Sequence, residues 1–290
     1  MLLRIVGIVF PIFIIVLVGY LYGRRHSPEM TVANRLNMEI FLPALIFSAL
    51  AGKTFNLAEN LPITLGALPV ILGSGVLAWP LARLFGYDPK TLVPPVMFNN
   101  AGNMGIPLML LTFGDQALGA AVIFLLLSIL LQFLIVPWLI NGHLQLGMLW
   151  REPFVVAALL GVIVSLCELS VWAPIMTAAR ILGDISLGLM VFSLGVRLAS
   201  TPMSAWRIGL VGAIATPLTG MLIAWGYGEL TGLKPIDQDM LFIFGALPPA
   251  VTNFIFAERY NQEPDKVASI VMIGNAAALL FVPLALALRL

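Results

Sequence analysis

The chain consists of apolar runs about 20 residues long that are separated by short polar turns. A run of this length is what an α-helix needs to cross the hydrocarbon core of a bilayer. The composition agrees with this pattern, because only 10% of the residues are charged, whereas ordinary soluble domains contain about 25%. The mean hydropathy of +1.03 excludes a water-soluble globular fold. We therefore expect an all-α integral membrane protein without a soluble domain.

Ten spans fit these runs when each takes roughly 20 residues. In the first span, Arg4 precedes the apolar run from Ile5 to Tyr22, and because no small-residue cleavage site comes after this run, we expect a retained helix rather than a signal peptide. The predicted spans are 3–22, 33–51, 61–85, 92–113 and 117–140 in the first half, and 152–169, 173–199, 206–231, 237–258 and 266–288 in the second. Each half has an odd number of spans, so the second half runs with opposite topology, which predicts two inverted five-helix repeats.

Positive charges divide unequally between the two sides of this layout. Ten lysines and arginines fall on one side, which includes Arg83, Lys90 and Arg207, and five fall on the other. By the positive-inside rule, the richer side faces the cytoplasm. Both termini are then expected outside the cell.

A polar stretch, NNAGNMGIPL from Asn99 to Leu108, interrupts the fourth span. Gly102 and Gly105 favour non-helical backbone, and the nitrogen of Pro107 cannot donate to the carbonyl four residues back. We expect a broken helix in the middle of the membrane. Backbone groups that are freed there must pack against protein or line a wet cavity.

A second stretch, GALPPAVTNFIF from Gly245 to Phe256, interrupts the ninth span. Pro248 and Pro249 remove two consecutive amide donors, and Thr252 and Asn253 add polar side chains just beyond them. Two interrupted spans at corresponding places in the two halves predict a transporter site where the repeats meet.

The amide side chains of the first stretch offer donors and acceptors without charge. At helical spacing, Asn99 and Asn103 would share one face, with Asn100 beside them. They either satisfy carbonyls that the break releases or bind a polar solute. Half-helices that begin near 105–107 and near 249–251 would each direct a positive N-terminal dipole at the crossing. That arrangement favours an anion, above all a carboxylate.

Asp184 is an ionisable residue inside the seventh span, and such residues mark functional sites by default. Two interpretations are open for it. The carboxylate either pairs with Arg180 one turn earlier or takes part in the coupling of sodium or protons.

Other classes of function have no support in the sequence. No basic block interleaved with aromatic residues indicates nucleic-acid binding. One cysteine and two histidines give no metal cluster, and no motif indicates a cofactor. No P-loop, GxSxG or HExxH motif appears, so we do not expect an enzyme.

Four stretches of the chain resemble the auxin efflux carrier family, whose plant members are the PIN proteins. They are FLPALIFSAL at 41–50, MGIPLML at 104–110, DISLGLMVFSLG at 184–195 and ALPPAVTNFIFAERYN at 246–261. The resemblance covers both halves. The chain is similar to a bacterial member, with a short link at 141–151 in place of the long plant loop.

This resemblance implies a fold related to bile-acid symporters and sodium/proton antiporters. The first, second, sixth and seventh spans, about 1–51 and 152–199, would form a scaffold. The remaining spans, about 61–140 and 206–288, would form a transport domain in which the fourth and ninth spans cross. The family moves organic anions by alternating access, and by residue match Asn100, Pro107 and Pro248 carry over as site residues.

We therefore expect a secondary transporter of a small carboxylate, either a malonate-like dicarboxylate or an auxin-like acid, in a bacterial inner membrane. Its partners would be the solute, membrane lipid, a second copy in a homodimer, and sodium, a proton or no coupling ion. The predicted substrate-binding residues are Asn99, Asn100, Gly102, Asn103, Gly105, Pro107, Pro248, Pro249, Thr252 and Asn253.

Two alternatives belong to other classes. A cation/proton antiporter of related fold would place ionisable residues at the crossing, where this sequence has asparagines. A ligand-sensing membrane receptor without transport would be expected to have an attached signalling domain.

Overall fold

A computed structural model describes residues 2–52, 57–143, 152–200 and 204–290. The helices are α1 Leu2–His26, α2 Thr31–Leu36, α3 Leu42–Leu50, α4 Leu57–Leu84, α5 Pro89–Met97, α6 Ile106–Phe113, α7 Leu118–Asn141, α8 Pro153–Leu166, α9 Ala173–Ser200, α10 Trp206–Thr231, α11 Pro235–Gly245, α12 Thr252–Tyr260 and α13 Pro264–Arg289. π-Helical turns join α2 to α3 and precede α6, at Asn37–Phe41 and Ala101–Gly105. The link 144–151 and Lys53 lie outside the described residues.

Within the described ranges, six helices are long and apolar enough to cross a membrane by length and composition: α1, α4, α7, α9, α10 and α13. Helical residues also occupy the other four predicted ranges, but there the helices are shorter or interrupted. The fourth and ninth ranges are each divided by a non-helical segment, and the sixth holds the 14-residue helix α8. The ten-helix inverted repeat therefore stays a prediction.

The first break lies at the N-terminal edge of the predicted stretch, and α6 begins at Ile106, within the range 105–107 predicted for the half-helix. The backbone leaves the helix at Phe98, which is extended with φ −106° and ψ 99°, and re-enters it at Ala101. Gly102 and Gly105 lie in the π-helical turn, and Pro107 lies in the first turn of α6. Proline is tolerated there because the amide N–H groups of a first turn have no partner within the helix. Asn99 precedes the helix, so the expectation that Asn99 and Asn103 share a helical face was wrong.

The second break runs from Ala246 to Val251, between α11 and α12. It contains Pro248 and Pro249, the two prolines from which the break was predicted. Gly274 of α13 makes room for this segment, since a Cβ atom at Gly274 would lie 2.5 Å from Cδ of Pro249. The break is thus seated against the last helix.

Close helix packing surrounds the two breaks. α1 packs along α9, where a Cβ atom at Gly195 would lie 2.1 Å from the carbonyl oxygen of Val16. α3 packs on α8 and α9, while α10 packs on α4, α11 and α13. Phe98, Phe124 and Phe244 are fully buried in the core, and the last two stack with ring centroids 4.4 Å apart.

Candidate functional site

The two breaks meet and pair through their backbones. The N–H of Asn100 donates to the carbonyl of Pro248 at 2.7 Å, and the N–H of Ala250 donates to the carbonyl of Phe98 at 2.9 Å. Asn99 and Pro249 form an isolated antiparallel bridge between these bonds. The pairing satisfies backbone groups that no helix serves, which is what a break inside a membrane requires. It also fixes the crossing of the two halves.

Buried amide side chains reinforce this crossing. Nδ2 of Asn99 donates to the carbonyl of Phe244 at 2.6 Å, and Nδ2 of Asn100 donates to Oδ1 of Asn275 at 3.0 Å. Asn275, on α13, donates in turn to the carbonyls of Pro249 at 2.9 Å and Val271 at 2.8 Å. The donor groups of Asn99 and Asn100 therefore hold the crossing together, as the structural interpretation of these residues expected.

Gln132 of α7 completes a second network. Its Nε2 donates to Oδ1 of Asn253 at 2.8 Å, and its Oε1 accepts from the hydroxyl of Thr252 at 2.8 Å. Asn253 also donates through Nδ2 to the carbonyls of Phe98 and Ala250, each at 2.9 Å. The start of α12 is thereby tied both to α7 and to the first break.

A cavity of about 90 Å³ lies against the crossing. Because one water needs about 10–15 Å³ of such space, there is room for several waters or a small solute. No charged residue lines the cavity in the part of the chain that the structure describes. Its lining consists of Met38, Leu42, Phe98, Asn99, Asn100, Ala101, Gly102, Asn103, Leu125, Ser128, Ile129, Gln132, Met190, Ala250, Val251 and Thr252.

Two buried polar atoms in residues that line this cavity lack a hydrogen-bond partner among the described residues. They are Oδ1 of Asn99 and Oγ of Ser128, in side chains that are 6% and 5% exposed. A buried polar group without a partner costs about 1–3 kcal/mol, so in native structures such groups are rare, and a polar solute or water that bonds to them is stabilising. One of them is an acceptor, and the other can both donate and accept.

Unpaired backbone N–H groups are also found in residues that line the cavity. The N–H groups of Gly102 and Asn103, and those of Val251 and Thr252, have no backbone acceptor within the described ranges. All four residues line the cavity, and they lie where the helices of the two halves begin. Unpaired first-turn N–H groups and the positive end of the helix dipole together form a common anion-binding arrangement.

Most of the predicted site residues converge on this region. Asn99, Asn100, Gly102, Asn103 and Thr252 line the cavity. Asn253 lies behind it, and the carbonyls of Pro248 and Pro249 accept the bonds that fix the crossing. Gly105 and Pro107 are buried in the helix beyond, so their contribution is to local backbone geometry.

Asp184 lies elsewhere. It is exposed on α9, as is Arg180, and no ion pair joins the two within the described residues. The pairing that was one interpretation of Asp184 is therefore not formed.

Sequence reasoning missed three polar residues: Ser128, Gln132 and Asn275. Each is an uncharged polar residue inside an otherwise apolar helix, and Ser128 and Gln132 are four residues apart on α7. The signal was present, because isolated polar residues in membrane helices face the protein interior rather than lipid. The predicted site was drawn only from the charged residues and the two breaks.

Comparison with known proteins agrees with the resemblance. A family model described as membrane transport protein matches residues 4–148 and 146–286. Auxin efflux carrier component 6 of Arabidopsis thaliana is 28% identical over 136 residues, which cover 44% of this chain and 24% of the plant protein. The chain thus spans about a quarter of the length of the plant relatives that it matches.

Two microbial relatives align over nearly the whole length. "Uncharacterized transporter YfdV" of Escherichia coli (strain K12) is 25% identical over 291 residues, 90% of each chain. "Uncharacterized transporter MJ1031" of Methanocaldococcus jannaschii is 22% identical over 302 residues, 96% of each chain. Since the family model matches both halves, the chain belongs to the membrane transport protein family that includes the auxin efflux carriers, and its apolar helices are those of a multi-pass membrane protein.

Proposed function

We propose that this transporter is a secondary carrier of a small organic anion, and that the anion binds in the cavity at the crossing. The observation that carries the proposal is the set of donors around the cavity. The residues that line one small cavity hold four backbone N–H groups without backbone acceptors, among the residues described, and the unpaired hydroxyl of Ser128. A carboxylate would accept hydrogen bonds from these donors, and two helix dipoles would offset its charge.

The unpaired Oδ1 of Asn99 narrows the class of ligand. An acceptor beside a carboxylate is unfavourable unless the ligand also brings a donor. A half-protonated dicarboxylic acid, such as a malonate-like acid, carries a carboxylate and a hydroxyl on one small frame. The volume of about 90 Å³ favours such a compact ligand over an auxin-like acid.

The site residues then divide into two roles. Asn99, Asn103 and Ser128 would contact the solute directly, together with the backbone at Gly102 and Thr252. Four other residues would position these groups, because their polar atoms already form hydrogen bonds to one another or to backbone carbonyls. They are Asn100, Asn253, Gln132 and Asn275.

The pH dependence of substrate binding would be set by the ionisation of the ligand rather than by that of the protein. None of the described residues that line the cavity titrates near neutral pH. Affinity should therefore vary with the pKa values of the acid itself. A proton could accompany the solute as part of a half-protonated acid.

Alternating access would move one group of helices against the other. The helices pack in two groups, one of α1, α3, α8 and α9 and the other of α4, α5, α10, α11 and α13. This grouping supports a scaffold and a transport domain built from inverted repeats. Met38, Leu42 and Met190 contribute the scaffold side of the cavity. The solute would therefore sit between the two groups.

A homodimer in a bacterial inner membrane, with both termini outside, completes the proposal. Asp184 is exposed partway along α9, beside the exposed apolar side chains of Ile181 and Ile185. A carboxylate that faces lipid is costly, and a second copy packed on this face would cover it.

Ligand-induced thermal stabilisation of the purified protein tests the proposal. Binding to the native state raises the apparent stability by mass action. We expect a small dicarboxylic acid to raise the melting temperature, more strongly at a pH where it is half-protonated, and sodium dependence would identify a sodium-coupled carrier. Stabilisation by cations alone would overturn the anion proposal and favour the antiporter.

A further inference from the structure

An apolar groove runs between α4 and α7, away from the crossing. Its volume is about 540 Å³, and its walls include Leu72, Val76 and Trp79 on α4 and Ile135, Trp138 and Leu139 on α7. Val76 is 71% exposed and Trp138 is 55% exposed, so the groove is open along the outside of the protein. From Leu72 to Pro80 it extends about 12 Å along α4 at 1.5 Å per residue.

Two cations lie at one end of this groove. Arg83 follows Trp79 by one turn on the same face of α4, with its guanidinium carbon 5.9 Å from the centre of the Trp79 ring. Nζ of Lys90 donates to the carbonyl of Ile140 at 3.0 Å, next to Leu139 in the groove wall. Both side chains are exposed.

Neither cation forms a salt bridge with a carboxylate of the described residues. No salt bridge involves Arg83 or Lys90 among the described residues, and the four undescribed stretches contain no Asp or Glu. The nearby carboxylate of Asp88 accepts from the backbone N–H of Lys90 at 2.9 Å and from Nε2 of Gln262 at 2.9 Å. The end of the groove therefore presents two exposed cations that form no salt bridge within the described part of the chain.

Two tryptophans indicate where this end of the groove lies relative to the membrane surface. Trp79 and Trp138 are both partly exposed and stand on the two walls of the groove. Tryptophan is enriched at the membrane–water interface, where its ring is at headgroup level. The cations beyond the tryptophans are thus placed at the height of lipid phosphates, and the groove below them at the height of acyl chains.

We propose that this groove is a specific site for an anionic phospholipid. One acyl chain occupies the groove between α4 and α7, and the phosphate is bound by Arg83 and Lys90. Arginine suits this role because its planar guanidinium binds phosphate oxygens in pairs. The site is independent of the proposed substrate, since it shares none of the residues that line the cavity at the crossing.

Native mass spectrometry of the full-length protein, titrated with phosphatidylglycerol or with phosphatidylcholine of the same acyl chains, tests the site. We expect phosphatidylglycerol to bind more tightly. Arg83→Gln and Lys90→Gln should each weaken its binding about fivefold, the contribution of one cation near a membrane surface. Arg207→Gln is a matched control, because Arg207 also lies over a tryptophan, 5.5 Å from the Trp206 ring, at the end of another helix.

A groove-filling variant tests the other half of the proposal. Val76→Phe leaves both cations in place and should weaken the binding of both lipids by obstructing the acyl chain. Equal loss in Arg207→Gln and Arg83→Gln would show a diffuse charge effect and overturn the site. Unchanged phosphatidylglycerol binding in Val76→Phe, or equal affinity for the two lipids in the wild type, would also contradict it.

Discussion

Asparagine side chains hold the two halves together at the crossing, and the same residues line the cavity. Asn99 donates through Nδ2 to the carbonyl of Phe244 and leaves Oδ1 without a partner in the described chain. The bond of 2.6 Å assigns the amide orientation, since an oxygen placed there would face the carbonyl oxygen. An amide can therefore stabilise the break and still present one atom to a solute. The two interpretations of these residues that the sequence left open are compatible.

A substitution at Ser128 tests directly whether the substrate acid binds in the cavity. Its hydroxyl has no partner among the described residues, so Ser128→Ala removes a donor from the cavity without leaving a protein group unpaired. A hydrogen bond to a charged ligand contributes about 1.5–3 kcal/mol, and we expect the dissociation constant of the substrate acid to rise about tenfold or more. Isothermal titration calorimetry measures this change.

Ser193→Ala is the matched control for that substitution. Ser193 also has a buried hydroxyl without a partner in the described chain, but it does not line the cavity. Its loss should leave the affinity unchanged. Equal affinities for the wild type and Ser128→Ala would contradict the role of Ser128.

We expect Asn275 to contribute to the thermal stability of the fold rather than to substrate affinity. Asn275→Ala removes the acceptor of Asn100 and the donor to the carbonyl of Pro249, and both of those groups are buried. Each buried group left unpaired costs about 1–3 kcal/mol. We expect a clear fall in the melting temperature, whereas Gln116→Ala, which removes a single exposed bond to Phe113, should have little effect. A melting temperature equal to that of the wild type would mean that this network does not hold the crossing.

At the scale of elements, the two breaks are positioned by close helix contacts around them. The sequence predicted both breaks because proline and glycine leave few helical alternatives, but it attributed the first one to Gly102, Gly105 and Pro107, which lie after the point where the chain leaves the helix. Pro107 lies in a first helical turn, where it costs little, and the chain leaves the helix at Phe98 instead. The backbone pairing between Asn100 and Pro248 decides that position. A contact over this separation in sequence cannot be read from local propensity.

Close packing of α1 on α9 can be tested with two glycines of one helix. A Cβ atom at Gly195 would lie 2.1 Å from the carbonyl of Val16, whereas a Cβ atom at Gly188 would meet nothing within 4 Å. Gly195→Ala should force the helices apart and lower the melting temperature strongly. Gly188→Ala should be neutral or stabilising by up to about 1 kcal/mol, the usual gain from replacing glycine within a helix.

Fluorescence-detected size exclusion after heating measures both variants in detergent. Equal behaviour of Gly195→Ala and Gly188→Ala would contradict the packing of α1 on α9.

For the whole molecule, the apolar runs allowed most of the helices to be located from sequence. Bilayer thickness sets the length of a span, so hydrophobicity alone places it, and the breaks identified the region of the candidate site. The partners that complete the site could not be identified in this way. Gln132 reaches Asn253 across 121 residues, and Asn100 reaches Asn275 across 175. Such contacts depend on how the helices assemble.

The proposed orientation of the molecule can be tested with its own thiol. Cys167 is the single cysteine in the sequence, and it is exposed just beyond the end of α8. With both termini outside, this end of α8 faces outward, so a membrane-impermeant maleimide should label Cys167 in intact spheroplasts.

A variant labelled from the other side provides the control. His143 is exposed just beyond α7, and the variant His143→Cys in a Cys167→Ser background should react only after permeabilisation. The opposite pattern would show that the orientation is inverted.

Uptake of labelled malonate into proteoliposomes tests the central claim most directly. We expect the wild type to take up malonate above the level of empty liposomes, Ser193→Ala to match it, and Ser128→Ala to fall about tenfold at concentrations below saturation, in line with the weaker binding. Uptake at the level of empty liposomes for malonate and for other small carboxylates, by protein that is folded and correctly inserted, would contradict the claim that the cavity at the crossing carries a small organic anion.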